Sequence, residues 1–471
     1  MYGLRSAAIV AATLLSCSVQ ARLPYQQGPP GYASDHDGHY QKIPSSTHNS
    51  PSGMPQPYGY EHPKYPNPTG AVPYGPTGTA SPIRRRPNYL YGTNAGGHLI
   101  LEKWMTPDIF EGTNATDQYT FDQTDGATAK LKKHWESYYT RDDFVAMRQW
   151  GLNAVRIPIG FWAYDNAGTP YIQGADAHLE RMIEWCRELG LWVLFDCHGS
   201  PGSQNGFDNS GHAGEAHWQT DDNLARSTRV LRAMAAKYGA MKYADVVWGL
   251  QMVNEPISWD SNNLNTTQSW TERAYPAVRA AAENKQLSIV MHDGFMGPSQ
   301  WTGVGRALAS SPRGNRGPAR FVLDTHLYQN QAQEDKQLTQ REHIAKACAW
   351  RRTDLLPQNS SSLAAMPVIV GEFSAATDVC ANPDGSTLAG SACYIDGCQC
   401  ANNVDIGDWQ KPLKEATRMF FEAELEAFDQ GAQGWFVWSW KGPGGWGMEN
   451  LIREGVVGKQ LNDRKYKDQC D

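Results

Sequence analysis

The stretch VVWGLQMVNEP, residues 246–256, is an apolar run that ends in a carboxylate followed by a proline. Residues 246–253 have the length and composition of a strand that is buried on both faces. A carboxylate is unexpected inside such a segment, but it is expected where a strand delivers a side chain to a site at its end. Glu255 is therefore the first candidate functional residue.

Seven further apolar runs of similar length lie along the chain, at residues 89–96, 153–159, 191–197, 287–292, 321–327, 367–373 and 434–440. Amphipathic segments separate them, such as 177–189, where apolar residues recur at helical spacing and Gly190 is a stop signal. Eight strands alternating with helices predict a single (β/α)8 TIM barrel domain. A doubly wound sheet is the alternative, but residues 92–98 lack the G-x-G-x-x-G turn of a nucleotide-binding sheet.

The first 87 residues differ from the rest. Residues 1–21 have the basic start, short apolar run and small residues of a cleaved secretory signal peptide, and the run is shorter than the ~20 residues that span a bilayer. Residues 22–87 are rich in Pro, Gly, Ser and Tyr, so we predict a disordered segment. The barrel is expected at 88–471, in a secreted protein without a membrane span.

Composition narrows the class of partner. The 471 residues are 40% hydrophobic and 19% charged, with a formal charge of −7, which is typical of a globular protein and offers no basic surface for nucleic acid. Three sequons, at Asn114, Asn265 and Asn359, predict that at least one site is glycosylated.

The cysteines predict disulfides. Removal of the signal peptide takes Cys17 and leaves eight, an even number. Local bridges are expected among the four cysteines of one loop, Cys380, Cys393, Cys398 and Cys400. A bridge between Cys348 and Cys470 would link the chain end to the body. Cys186 and Cys197 lie in apolar segments and are expected to be buried thiols. The loop spacing matches no standard zinc motif.

Reactive side chains collect at the ends of the predicted strands: Arg156, His198, Asn254, Glu255, His326, Tyr328, Glu372, Trp438 and Trp440. No G-x-S-x-G elbow is present. Two glutamates on different sides of a barrel mouth are the arrangement of a glycosidase. One must hold a proton in an enclosed site, and the other must stay ionised, for which Arg156 and Tyr328 are candidate neighbours. Alternation places Trp438 and Trp440 on one face, and we assign Trp438 to the site.

Seven motifs support a family resemblance: LILEKWMTPDIF after a Gly-Gly pair, NAVRIPIG, DCHGSPGSQNGFDNSG, QMVNEP, DTHLYQ, VIVGEF and GWFVWSWK. Together, over residues 89–470, they resemble fungal exo-β-1,3-glucanases of glycoside hydrolase family 5. The resemblance implies a retaining mechanism with Glu255 as general acid/base and Glu372 as nucleophile. It implies no metal or cofactor, a β-glucan or β-glucoside substrate, and location outside the cell or in its wall; we expect a monomer.

The same resemblance implies roles for ten further residues around the sugar. Asn254 would hold the 2-hydroxyl, Arg156 would support the charge of Glu372, and Trp438 would stack beneath the terminal sugar. His198, His326 and Tyr328 would border the glutamates. Glu102, Asp208 and Asn209 would bind the terminal sugar. Phe207 would form half of a phenylalanine clamp.

The chain departs from the family pattern on the acceptor side. Asn330-Gln331 stand where a second clamp phenylalanine is common, and His98 stands where Trp is usual. The sequence therefore predicts release of glucose from non-reducing ends of β-1,3-glucan and leaves open β-1,6-glucan, diglycosides or other β-glucosides. A non-catalytic wall protein that binds glucan is the alternative from another class.

Overall fold

The computed structural model describes residues 84–310, 321–355, 366–390 and 392–471, and two short antiparallel strands, Tyr32–Ser34 and Tyr40–Lys42. The predicted signal peptide, most of segment 22–87 and the Asn359 sequon lie outside the described residues. The Asn114 and Asn265 sequons are exposed. Among the described helices, none combines the length and the apolar character needed to cross a membrane.

Eight parallel strands form a closed barrel in chain order, and the eighth pairs with both the first and the seventh. They are β1 Leu90–Asn94, β2 Ala154–Gly160, β3 Trp192–Gly199, β4 Val247–Gln251, β5 Ser288–His292, β6 Phe321–His326, β7 Val368–Phe373 and β8 Gly434–Val437. Each predicted run overlaps one of them, so the (β/α)8 barrel is confirmed.

The described α-helices connect and cover the strands. They are α1 Gln118–Phe121, α2 Ala127–Ser137, α3 Arg141–Trp150, α4 Ala175–Leu189, α5 Asp221–Tyr238, α6 Leu264–Ala281, α7 Thr302–Ser310, α8 Gln340–Trp350, α9 Lys411–Gly431 and α10 Met448–Arg453. α4 ends at Gly190, whose φ of 71° is the left-handed conformation that glycine adopts without strain. The stop signal in the sequence therefore acts as predicted.

The barrel interior has an apolar and a polar part. Where the strands begin, it is filled by Leu90, Ala154, Trp192, Leu194, Trp248, Val290, Val322, Ile369 and Phe436. Nearer the strand ends, fully buried polar side chains replace them, including Asn94, Arg156, Asp196, Gln251 and Asp324. Since buried polar groups need partners, the polar part of the barrel interior must be one hydrogen-bonded network.

Residues just before the predicted boundary at residue 88 also contact the barrel. The guanidinium of Arg84 lies 4.4 Å from the Trp192 ring, and that of Arg86 lies 5.2 Å from the Trp248 ring. Arg86 also donates to the Trp248 carbonyl at 2.8 Å and to Ser288 Oγ at 2.9 Å. Cation–π and hydrogen-bond contacts therefore attach residues 84–87 to the end of the barrel where the strands begin.

Three disulfides confirm the cysteine predictions, and they join Cys348 to Cys470, Cys380 to Cys400, and Cys393 to Cys398. The first ties the chain end to α8. The other two close the loop after β7, which contains a small sheet of Cys380–Ala381, Thr387–Leu388 and Gln399–Cys400. Cys186 and Cys197 are buried free thiols, as expected.

Candidate active site

Glu372 lies at the end of β7 and is almost fully buried. Its Oε1 accepts from Arg156 Nη1 at 2.8 Å, and its Oε2 accepts from the Tyr328 hydroxyl at 2.8 Å. Gly371, just before it, has no room for a side chain, because a Cβ there would lie 2.2 Å from the carboxylate oxygens of Asp324. Both oxygens of Glu372 are thus held by donors, one of them permanently cationic.

Glu255 approaches Glu372 from the loop after β4, and both lie beside His326. The strand ends at Gln251, and Glu255 adopts a φ of 45°, a left-handed conformation that costs free energy for a side chain of this size. Its Oε2 accepts from Asn209 Nδ2 at 2.8 Å, and its Oε1 lies 2.8 Å from His326 Nδ1. The turn is what brings the carboxylate inward.

Arg156 connects the two sides of the site. It lies within β2 rather than at its end, because the strand continues to Gly160, so our placement at the strand end is corrected. Besides Glu372, it donates to Gln251, Asn94 and Asn254, and its Nη2 lies 3.0 Å from Asp196. A fully buried guanidinium with all these partners fixes the carboxylates and Asn254 in register.

Two histidines are oriented by aspartates that the sequence interpretation missed. His198 Nδ1 lies 2.6 Å from Asp196, and His326 Nε2 lies 3.1 Å from Asp324. The signal was present, since both pairs read Asp-x-His in a strand and alternation puts such residues on one face. Asp324 is itself held by Gln251 and by the Gly371 amide.

The two glutamates are close to each other. His326 Nδ1 lies 2.8 Å from Glu255 Oε1 and 3.4 Å from Glu372 Oε2, so these two oxygens are at most about 6 Å apart. A separation of this order between two of their oxygens agrees with the roughly 5–5.5 Å between carboxyl groups that is typical of a retaining glycosidase. The geometry suits direct attack by one carboxylate.

A second group of predicted residues lies beside this pair. Glu102 Oε2 accepts from Trp104 Nε1 at 3.0 Å, while its buried Oε1 has no hydrogen-bond partner among the described residues. Burial raises the pKa of Glu102 well above its ordinary value, and the charge of Asp208 adds to this. Burial likewise raises the pKa of Asp208 to about 6. Two buried carboxyl groups with spare hydrogen-bonding capacity suit sugar hydroxyls.

Aromatic rings line the same cavity. Trp438 stacks on His198 with ring centres 5.5 Å apart, and a Cβ on Gly96 would come within 2.9 Å of its ring. β8 ends at Val437, so the strand alternation that we applied to Trp438 and Trp440 does not hold. Trp440 packs in the hydrophobic core outside the barrel, which agrees with the assignment of Trp438 rather than Trp440 to the site. Phe207 is half-buried in the loop that carries Asp208 and Asn209.

Comparison with known proteins identifies the family. Residues 115–442 match the model of the cellulase family, glycosyl hydrolase family 5. This chain belongs to glycosyl hydrolase family 5. It is 33% identical over 399 residues to the glucan 1,3-beta-glucosidase of Blumeria graminis, which covers 80% of this chain and 89% of that protein. The corresponding enzyme of Candida oleophila is 34% identical over 406 residues, with 81% and 91% covered.

A solved structure supports the fold of this family 5 hydrolase. The crystal structure of rutinosidase from Aspergillus niger superposes with a TM-score of 0.60 at 18% sequence identity, over 78% of this chain and 97% of that one. At this identity the likeness concerns the fold alone. The family and the barrel together establish that the protein is a glycoside hydrolase.

Protonation in the family 5 site differs from our expectation for the glutamates. Burial raises the pKa of Glu255, but the hydrogen bond and charge of His326 outweigh it, so the net shift is downward. Burial also raises the pKa of Glu372, and the nearby His326 and Arg156 only partly offset it. The reason is His326: burial lowers its pKa, yet Glu372, Asp324 and Glu255 together raise it well above its ordinary value. These directions favour a protonated His326 hydrogen-bonded to an ionised Glu255.

Four more side chains of the site were missed from the sequence. Trp104 packs edge-on against Trp446, and Trp446 lies 5.6 Å from Tyr328, so both rings border the cavity. His292 and Asp293 end β5, a strand for which we named no site residue. The position of His292 as the last residue of a predicted run was a usable signal.

In the part of the chain that the structure describes, two clusters have the proximity of metal ligands, Cys380–Cys393–Cys400 and Glu255–His292–His326. The cysteines are bonded in disulfides. In the second cluster both nitrogens of His326 already bond to carboxylates, and His292 Nδ1 accepts from the Gly294 amide. A metal ion there would have to displace these bonds.

Proposed function

We propose that the protein is a secreted retaining β-glucosidase that removes glucose from the non-reducing ends of β-1,3-glucan by double displacement. The observation that carries the proposal is that Glu255 and Glu372 each bring a carboxylate oxygen to one nitrogen of His326, so that these two oxygens lie at most about 6 Å apart, as suits a retaining pair. The relatives named glucan 1,3-beta-glucosidase support the substrate class.

In the first step Glu372 attacks the anomeric carbon, and a glycosidic bond breaks as the carboxylate–sugar bond forms. Arg156 and Tyr328 donate to the attacking carboxylate, which opposes the effect of burial on its pKa and fixes its direction. Asn254, fixed by Arg156 at 2.7 Å, is placed to hold the 2-hydroxyl of the sugar. That contact strengthens as positive charge develops on the ring.

The leaving oxygen takes a proton from Glu255. In the free site this proton resides on His326 Nδ1, 2.8 Å from Glu255 Oε1, so one transfer along the hydrogen bond produces the neutral acid. Asp324 accepts from His326 Nε2 and keeps the ring oriented for that transfer. The general acid is therefore the hydrogen-bonded pair of Glu255 and His326, which shares one proton.

In the second step a water molecule replaces the departed group. Glu255 removes a proton from the water, the resulting hydroxide attacks the anomeric carbon, and Glu372 leaves as a carboxylate. Two inversions at one carbon return the β-anomer, and the Glu255–His326 pair regains its proton. No further reactant is needed.

The other residues bind the terminal glucose. The buried carboxyl group of Glu102 and the half-buried one of Asp208 accept hydroxyls, and the Trp438 ring lies against the apolar face of the sugar. An enclosed set of this kind favours a chain end over the middle of a chain. Three disulfides require an oxidising compartment, which supports secretion or residence in the wall.

A non-catalytic glucan-binding protein is disfavoured, because both carboxylates keep a full set of hydrogen-bond donors. Other β-linked substrates are distinguished by one experiment, in which initial products from laminarin, pustulan, cello-oligosaccharides and a flavonoid diglycoside are compared by NMR. We expect β-glucose as the first product, fastest from laminarin. Release of α-glucose first, or of larger fragments, contradicts the proposal.

A further inference from the structure

The side of the site that receives the leaving group is marked by Glu255, because a general acid lies beside the oxygen that it protonates. From Glu255, ring contacts lead outward. His326 bonds to Glu255 and packs against His292 at 4.3 Å, and His292 packs against Phe295 at 5.0 Å. Phe295 in turn contacts Trp259, with ring centres 5.5 Å apart.

Trp259 and Phe295 form what we call the aromatic shelf. Both rings are half-buried, and Met296 beside them is 46% exposed, so the shelf faces solvent at one edge. Its two residues come from different loops, one after β4 and one after β5. An aromatic surface that is partly open and continuous with a catalytic acid is suited to a flat ring with an apolar face.

The shelf is held in place by the backbone of its loops. Ser258 Oγ donates to the Gly294 carbonyl at 2.8 Å, which joins the two loops. Phe295 adopts a φ of 62°, a conformation that an aromatic residue rarely takes, and its amide donates to Asp293 Oδ1 at 2.8 Å. Such strain persists where surrounding contacts impose it, and it is concentrated at functional sites.

A polar contact accompanies the shelf. His292 Nδ1 accepts from the Gly294 amide at 3.1 Å, so the neutral ring has its hydrogen on Nε2. His292 is fully buried, and this Nε2 has no hydrogen-bond partner among the described residues. A nitrogen of this ring lies within 4.8 Å of a Glu255 carboxylate oxygen and of a His326 nitrogen. A buried donor without a partner at this point fits a hydroxyl of the substrate.

We propose that Trp259 and Phe295 are the stacking surface for the leaving group, and that His292 donates one hydrogen bond to it. The inference rests on the proposed function and names the chemistry on the far side of the cleaved bond. The ligand is a ring with a flat apolar face, either the next glucose of a glucan or the aromatic ring of an aglycone. The aromatic shelf would supply the stacking surface that Asn330-Gln331, which have no aromatic ring, do not provide.

The test compares leaving groups of different size on Trp259→Ala. For laminaribiose, kcat/KM is expected to fall by about ten- to a hundredfold, which is the range for loss of a buried aromatic contact. For β-glucosyl fluoride, whose leaving atom is too small to reach the shelf, it is expected to stay within about twofold. A larger loss on laminaribiose than on 4-nitrophenyl β-glucoside assigns the shelf to a sugar, and the reverse order assigns it to an aryl aglycone.

Two variants control the experiment. Trp259→Phe keeps an aromatic surface and is expected to retain most of the laminaribiose activity. Tyr394→Ala removes a ring that is 80% exposed in the loop closed by Cys393 and Cys398, and it is expected to change none of the three substrates. Equal losses on fluoride and laminaribiose, or no loss on either, overturn the inference. Failure of the unmodified protein to hydrolyse β-glucosyl fluoride instead contradicts the proposed function.

Discussion

The hydroxyl of Tyr328 offers a clean perturbation of the nucleophile, because Tyr328→Phe removes one atom and keeps the ring. That hydroxyl donates to Glu372 Oε2 at 2.8 Å in a part-buried setting. A hydrogen bond to a charged group contributes about 1.5–3 kcal/mol. Its loss destabilises the ionised carboxylate and frees its direction of attack, so we expect kcat/KM at neutral pH to fall by roughly ten- to a hundredfold.

The pH profile separates this cause from general damage. Burial already raises the pKa of Glu372, and loss of a donor to the charged form raises it further. The ionised form is the active one, so activity on the acid side should be lost at a higher pH than in the unmodified protein. The assay is kcat/KM for an aryl β-glucoside across the acid limb.

A matched control is Tyr243→Phe, which removes a hydroxyl that donates to Glu180 at 3.1 Å, away from the two catalytic carboxylates. It should leave both the rate and the acid limb unchanged. If Tyr328→Phe also leaves both unchanged, the hydroxyl does not support the charge of Glu372 and the reasoning fails.

Three further predictions test separate parts of the account. Glu255→Ala should still release fluoride from β-glucosyl fluoride, which needs little acid assistance, and azide should yield β-glucosyl azide; α-glucosyl azide would assign the opposite role. Burial raises the pKa of Glu424 well above its ordinary value, and neither of its carboxylate oxygens has a hydrogen-bond partner among the described residues. The stability that depends on neutral Glu424 is therefore full at low pH and is lost as pH rises. Between about pH 5 and about pH 9, the urea unfolding free energy of Glu424→Gln should rise relative to that of the unmodified protein. Arg86→Ala should lose about 1–3 kcal/mol of unfolding free energy in urea, whereas exposed Arg85→Ala should lose almost none; equal effects would argue against the contacts of Arg86 with Trp248.

The barrel could be predicted because its strands are buried on both faces and therefore appear as uninterrupted apolar runs. The candidate residues Glu255, just after such a run, and Glu372, near the end of another, were chosen for the same reason. Strand ends were less accurate: β8 stops at Val437, before the two tryptophans that alternation was used to sort. Hydrogen-bond geometry at the strand end, rather than residue type, decides where pairing stops.

The supporting network was largely invisible in the sequence. Asp196 and Asp324 lie inside apolar runs, and their Asp-x-His spacing indicates only a histidine on the same strand; the contact of Asp196 with Arg156, which comes from another strand, is known only from the fold. The position of the shared proton could not be predicted either, because it depends on carboxylates from three strands meeting at one imidazole. The local sequence identifies the residue types, whereas the protonation state of each side chain depends on which groups the fold places beside it.

The central claim is that Glu372 forms a covalent bond to glucose. The most direct measurement treats the protein with an activated 2-deoxy-2-fluoro-β-glucoside, which slows the second step more than the first, and maps the labelled peptide by mass spectrometry. We predict one label per chain, on Glu372, with loss of activity in step with labelling. A label on Glu255, or an active protein that reacts without any covalent label, would contradict the account.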